Sequence, residues 1–165
     1  MIENTGPKYR TQSTEGEALT KSEEGLRLEA YKCIAGVWTI GWGHTGPDVH
    51  KGLEITETRA NTLYHSDIMS AESAVNRLCP VTTQAQFDAL VDFAVNLGEG
   101  ALEGSTLRKL HNESLIDEAS KQFSKWVYAR VGGGRKRKVK GLILRRERER
   151  LMYLGKKEWR DVRAG

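Results

Sequence analysis

Residues 23 to 46 read EEGLRLEAYKCIAGVWTIGWGHTG. The first part mixes charged and aliphatic residues in a helix-like pattern. From Ala30 onward, aromatic and β-branched residues dominate, interrupted by Gly36, Gly41, Gly43 and Gly46. Such a switch of pattern predicts a helix that hands over to a meander of two or three short strands with tight turns. A small sheet with one apolar face is marginal alone, so this one must lean on a helix. Gly46 and Pro47 end it, and residues 48–55 read as loop.

Working outward, residues 1–14 read as a loose polar lead-in. Ala18, Leu19, Leu26 and Leu28 predict a helix from about Glu15 to about Glu29, with Thr14 as its N-cap and Glu17 completing a capping box. Thr56 caps a second helix of roughly 20 residues, about 30 Å long, which Pro80 stops. Thr82 to Gly98 places Phe87, Leu90, Val91, Ala94 and Val95 at helical spacing, apolar enough for the central core helix, with Gly98 as C-cap. A short helix starts at Ser105 and another covers about Ser114 to Arg130, broken by Gly132–Gly134. A last helix runs from about Lys140 to Leu154. The expected fold class is α+β, mainly helical, in one domain over residues 15–165. Residues 15–55 form a small lobe, 56–79 a connecting helix and 80–165 a helical lobe, with a binding cleft between the lobes.

The chain has 165 residues, enough to bury roughly 68–70% of its unfolded surface and form a real core. No stretch approaches the roughly 18 apolar residues of a membrane span. The polar start MIENTGPKYRTQSTEGE argues against a signal peptide or anchor. Two cysteines, Cys33 and Cys79, match no zinc spacing; they read as buried thiols, with one bridge after export as the alternative. Net charge is +4, but it is concentrated in Gly132–Arg150. That stretch suits an anionic partner or simply a solvated face.

Glu24 is the first candidate for chemistry. A lone glutamate at a helix end is ordinarily a solvated acid. Here Gly25 and a Leu-Arg-Leu run, expected to pack inward, follow it; a desolvated carboxyl keeps its proton and can act as a general acid. Thr39, on the sheet, has a hydroxyl able to hold a water, although threonine is also ordinary strand chemistry. For Trp38, Trp42 and Trp126, core packing outweighs sugar stacking.

The spacing Glu24, eight residues, Cys33, five residues, Thr39 resembles the active-site signature of phage lysozymes of glycoside hydrolase family 24. The blocks EGLRLEAYK and GVWTIGWGHTG match it too. QAQFDALVDFAVNLG, STLRKLHN and FSKWVYARVGGGRKRKVKGLILRRERE extend the resemblance from about Leu19 to Leu154. It implies a lysozyme-like fold with a three-stranded sheet lobe and hydrolysis of the β-1,4 bond between N-acetylmuramic acid and N-acetylglucosamine in peptidoglycan. Glu24 is then the proton donor, and Cys33 and Thr39 hold the attacking water, with inversion expected. Cys33 departs from the aspartate common in the family, and a thiol is mostly neutral at pH 7. By the same resemblance His44 pairs with Asp67, Arg145 or Arg146 faces the glutamate, and Asn96, Gly98, Ser105 and Thr106 line the lower cleft. No cofactor or metal is expected. Peptidoglycan is the expected partner of a monomer that accumulates in the host cytoplasm and reaches the periplasm and wall through holin pores. Two alternatives remain: a non-catalytic peptidoglycan-binding module and, given the basic segment, a nucleic-acid-binding protein. The acid-base alternation of RRERER favours self-paired surface charge over the latter.

Overall fold

The computed structural model describes residues 9–130 and 133–164. Helix α1 (Thr14–Glu24) leads into an antiparallel sheet of β1 (Arg27–Lys32), β2 (Trp38–Gly41) and β3 (His44–Thr45), in the order β1-β2-β3. Long helix α2 (Glu57–Leu78) follows, then core helix α3 (Gln84–Leu97) and short helices α4 (Glu99–Glu103), α5 (Thr106–Asn112) and α6 (Ile116–Gln122). A hairpin of β4 (Tyr128–Arg130) and β5 (Lys136–Lys138) precedes α7 (Lys140–Tyr153). The mainly helical α+β class expected from the sequence is what the chain adopts.

The buried positions explain the layering. Eight consecutive residues of α3, Phe87 to Ala94, are buried, so this helix is sheathed on every side rather than amphipathic. Around it pack Leu19 of α1, Val75 and Leu78 of α2, Phe123, and Met152 and Tyr153 of α7. Trp126 sets its ring edge-on to Phe93, with centroids 5.4 Å apart, and so belongs to this core. A second, smaller cluster lies under the sheet, where Ile40, Val49 and Leu63 are joined by Trp38, Leu53 and Ile55. The sheet thus leans on α2, as a three-stranded sheet must.

The caps follow local chemistry. Thr56 accepts from the Arg59 amide, and Thr83 with Gln86 makes a reciprocal capping box. At α1 the cap is Ser13, not Thr14: its hydroxyl accepts from the Gly16 amide at 3.3 Å and donates to Asp88. The same contact removes any looseness from residues 10–13. The Arg10 amide donates to Asn76, that of Gln12 to Glu72 and that of Ser13 to Asp88. The rest of the expected lead-in, residues 1–8, lies outside the described residues.

Two expected helices end early. Helix α1 stops at Glu24, not Glu29, because Gly25 takes φ +72°, a left-handed turn glycine makes freely. Leu28 then joins β1 and is 41% exposed, so the Leu-Arg-Leu run does not pack inward together. Its backbone instead pairs outward, the Ile55 amide donating to the Leu28 carbonyl and the Ala30 amide to Leu53. The helix expected over 114–130 is only α6 and a 3-10 turn (Phe123–Lys125). Trp126, partly buried against Phe93, has left helical geometry, and the chain leaves as a strand. Gly133 and Gly134 lie in the hairpin turn; Gly132 lies outside the described residues. Both cysteines are free. Burial pushes the Cys79 thiol up to about 12.

Phe93 touches both Phe123 and Trp126 at the centre of this packing. Phe93→Ala should cost about 3–5 kcal/mol in urea unfolding, whereas Met69→Ala, on an exposed side chain, should change stability by less than about 0.5 kcal/mol. A Phe93→Ala loss as small as the Met69→Ala one would contradict the assignment of α3 as the core.

Candidate active site

A cleft of about 570 Å³ lies between the sheet and the helices. Glu24, Trp42, Gly43 and Thr45 line one side, Tyr64, Asp67 and Ile68 of α2 another, and Val95 and Gly98 close the end of α3. Glu24 is the last residue of α1, its side chain 26% exposed. Arg145, one and a half turns into α7, donates from Nη1 and Nη2 to Glu24 Oε1, both at 3.1 Å. The other oxygen, Oε2, lies beside Gly43 in the β2–β3 turn. A Cβ at position 43 would come within 2.8 Å of it, and Gly43 also needs φ +87°. Glycine there keeps one carboxylate oxygen open to the cleft.

Arg145 is held from behind. Its Nε and Nη2 donate to the two carboxylate oxygens of Asp92 on α3, each at 2.9 Å. This bidentate fork is the strong geometry for an arginine-carboxylate pair. Burial works against the Asp92 charge, but Arg145 and hydrogen bonds from Glu149 and Arg145 outweigh it and bring its pKa to about 2. Glu149, one turn after Arg145, is wholly buried. Burial first, then the Asp92 charge, pushes its pKa well above the usual carboxylate range, against the pull of Arg146 and Arg145. Its Oε2 has no other partner as an acceptor, and a proton there supplies a donor toward Asp92. Arg146, 1% exposed, turns away from Glu24. It donates to Glu149 at 2.7 Å and to Asn96 at 2.8 Å and stacks over Phe93.

Across the sheet, Thr39 pairs with Thr45 of β3, and directly opposed residues share a face. Since Thr45 lines the cleft, Thr39 presents to that side, while its neighbours Trp38 and Ile40 turn into the small core. The Thr39 hydroxyl donates its proton to the Val37 carbonyl at 3.0 Å, in the turn that carries the Cys33 thiol. That thiol sits in the tight Cys33–Val37 turn. Hydrogen bonds from the Val37 amide, foremost, and from the Ala35 amide lower its pKa against a smaller opposing effect of burial.

His44 sits between two acids. Its Nδ1 lies 2.7 Å from Asp67 Oδ2 on α2, and its Nε2 lies 3.1 Å from Asp48 Oδ2 in the following loop. Burial opposes the charged ring, yet the bonds to Asp67 and Asp48 carry its pKa above the ordinary value. Ser105 is buried and spent on capping: it accepts from the Arg108 amide and donates to the Leu102 carbonyl. The sequence reading did not single out Asp92, Glu149 or Asp48. Aspartate within an apolar helix was the available signal for Asp92, and the acid four residues after Arg145 was that for Glu149. Among the described residues no group of acids, histidines and cysteines could hold a metal ion.

Comparison with known proteins puts this geometry in context. A family model described as phage lysozyme matches residues 21–149. The endolysin of Bacillus phage B103 is 43% identical over 145 residues, covering 86% of this chain and 53% of that protein, so the chain spans about half that relative's length. Among solved structures, the endolysin from Escherichia coli O157:H7 phage FAHEc1 superposes with a TM-score of 0.85 at 36% identity, covering 90% of this chain and 96% of its own. The muramidase domain of SpmX from Asticaccaulis excentricus gives 0.81 at 36% identity, covering 88% and 98%.

The raised pKa of Glu149 carries a signed expectation. Between the unfolded carboxylate value and the higher folded one, only the unfolded chain ionises there, so wild-type stability falls as pH rises through that window. Glu149→Gln removes the penalty. Its stability relative to wild type, measured by urea unfolding, should improve as pH rises above the unfolded carboxylate value of about 4.3; a steadily worsening difference would mean that Glu149 is an ionised partner of the arginines.

Proposed function

The chain belongs to the phage lysozyme family, and from that premise we propose that it is an endolysin, cleaving the β-1,4 bond between N-acetylmuramic acid and N-acetylglucosamine in bacterial peptidoglycan to release phage. The observation that carries this reading is Glu24, tethered through one oxygen to Arg145 and open to the cleft through the other. A polymer chain has to lie across an open groove to be cut internally, and an acid on the wall of that groove is what glycoside hydrolysis requires first.

In this mechanism Glu24 hands its proton to the glycosidic oxygen as the bond to the anomeric carbon breaks. The developing oxocarbenium ion is attacked from the opposite face by a water positioned by Thr39 and Cys33. The new C–O bond forms there with inversion, and Glu24 is reprotonated from solvent. Two carboxylates usually flank such a bond; here the second position is the Cys33 thiol, whose lowered pKa lets a thiolate fraction take the proton of the attacking water. Arg145 positions Glu24. The His44–Asp67 pair joins the β3 strand to α2, and Asn96 with Arg146 braces the end of α3 near Gly98. Export from the host cytoplasm through a holin pore, and action as a monomer in the wall, complete the reading. Among the described residues no helix is long and apolar enough to cross a membrane.

Glu24→Gln keeps the shape and removes the transferable proton. It should abolish turbidity clearing on outer-membrane-permeabilised cells, and retained lysis would end the proposal. Cys33→Ser should lower the rate without abolishing it, because the hydroxyl still orders water but ionises far less readily; an unchanged rate would reduce Cys33 to packing.

A further inference from the structure

The charge of this chain is unevenly distributed. From Ala119 to Arg146 there is no aspartate or glutamate, but there are ten lysines and arginines, so the remainder of the chain is net acidic. Arg145 and Arg146 are consumed by the buried network. Six of the others, Arg130, Arg135, Lys136, Arg137, Lys138 and Lys140, are exposed on the β4–β5 hairpin and the start of α7. Among the described residues none of the six has an acidic partner, whereas the cations elsewhere on α7 do: Arg148 pairs with Glu23 and Arg150 with Glu147.

The register makes this arrangement costly for folding. Arg130 stands directly opposite Lys136, and Tyr128 opposite Lys138. Side chains alternate along each strand, so Tyr128, Arg130, Lys136 and Lys138 share one face and Arg137 takes the other. Like charges set opposite each other destabilise a strand pair, and a hairpin needing only stability would put an acid at one of these positions. Tyr128 is 49% exposed, with Lys138 over its ring. The hairpin is nevertheless firmly rooted. The Val139 amide donates to the carbonyl of buried Val127 at 2.9 Å, and Arg146 donates to the Trp126 carbonyl.

Its position supplies the partner. Helix α7 starts at Lys140 and reaches Arg145 within about 7.5 Å of rise, and Arg145 touches Glu24. The charged face therefore sits one and a half helical turns along α7 from Arg145, the residue that holds the carboxylate the proposed reaction uses. We propose that the β4–β5 hairpin is a docking face for the carboxylates on the stem peptides of peptidoglycan, received by Arg130, Lys136 and Lys138 while the glycan lies in the cleft. The inference rests on the endolysin reading and adds the part of the substrate that hangs from the sugar chain. Exposed cations beside a cleft raise the local concentration of an anionic substrate, and this effect disappears when salt screens them.

The test compares wild type with Arg130→Gln/Lys136→Gln/Lys138→Gln on soluble peptidoglycan fragments. At about 10 mM salt, where screening reaches roughly 30 Å, the variant should show a KM raised about tenfold with kcat within twofold, the size expected for lost electrostatic attraction. The gap should close in about 0.5 M salt, and also on fragments whose carboxylates have been amidated. The charge-conserving swap Arg130→Lys/Lys136→Arg/Lys138→Arg should keep the wild-type KM. An unchanged low-salt KM in the glutamine variant overturns the docking face, and so does a gap that persists on amidated fragments. Loss of binding to phosphatidylglycerol vesicles with no change in KM overturns it in favour of a lipid surface. If wild type itself fails to cleave the fragments, the enzymatic reading falls instead, and the two failures are distinguishable.

Discussion

Arg145 joins three parts of the chain that are far apart in sequence. It comes from α7, is gripped by Asp92 of α3, and reaches Glu24 at the end of α1. A buried guanidinium and a wholly buried carboxylate are expensive to remove from water, and removing either partner typically costs 3–5 kcal/mol because the other is left uncompensated. The fold accepts that burden at the floor of its cleft, where a hydrophobic pair would serve stability equally well. What the ion pair adds is a fixed point of positive charge beside an acid that must not wander. Binding through one oxygen leaves the other free, and Gly43 leaves room for it.

Behind this fixed point two arginines meet one ionised carboxylate and one neutral one, so the buried group keeps a net positive charge beside Glu24. Asp92 is firmly ionised, Glu149 is pushed toward its neutral form, and Arg146 is shared between Glu149 and Asn96. Asp92 and Arg145 face each other directly, and Arg146 donates to Glu149 Oε1, while Arg146 Nε and Glu149 Oε2 are left without a partner. Across the cleft, His44 does comparable work for the sheet, tying β3 to α2 through Asp67 and to its own loop through Asp48. Both walls are thus tied to the central helices by charged hydrogen bonds, and the groove between them can hold a shape.

Much of this was legible in the sequence wherever a local signal coincided with the tertiary outcome. The α3 segment reads as a core helix because its apolar residues are too many for one face, and the caps at Thr56 and Gly98 follow from side-chain chemistry and glycine. The glycine-rich aromatic stretch reads as a small sheet for the same reason. The misread ends have a common cause. Helix α1 was expected to run on through leucines whose spacing suits a helix, but Gly25 turns the chain and Leu28 finds backbone partners in residues 53–55. The β4–β5 hairpin carries almost no β-branched or aromatic residues on its second strand, so nothing local announces it. Asp92 and Glu149 looked like ordinary charged residues because their importance lies in partners some fifty residues away in the chain. Asp48 escaped notice because its partner, His44, lies across the turn at Gly46 and Pro47, and nothing in the loop itself marks the contact.

The central claim, that a sugar polymer is cut at its glycosidic bond in front of Glu24, is tested most directly by mass analysis of the fragments released from purified cell wall. The account predicts disaccharide-peptides with N-acetylmuramic acid at the reducing end. Fragments ending in N-acetylglucosamine, strands cut only within their peptides, or wall left intact would contradict it.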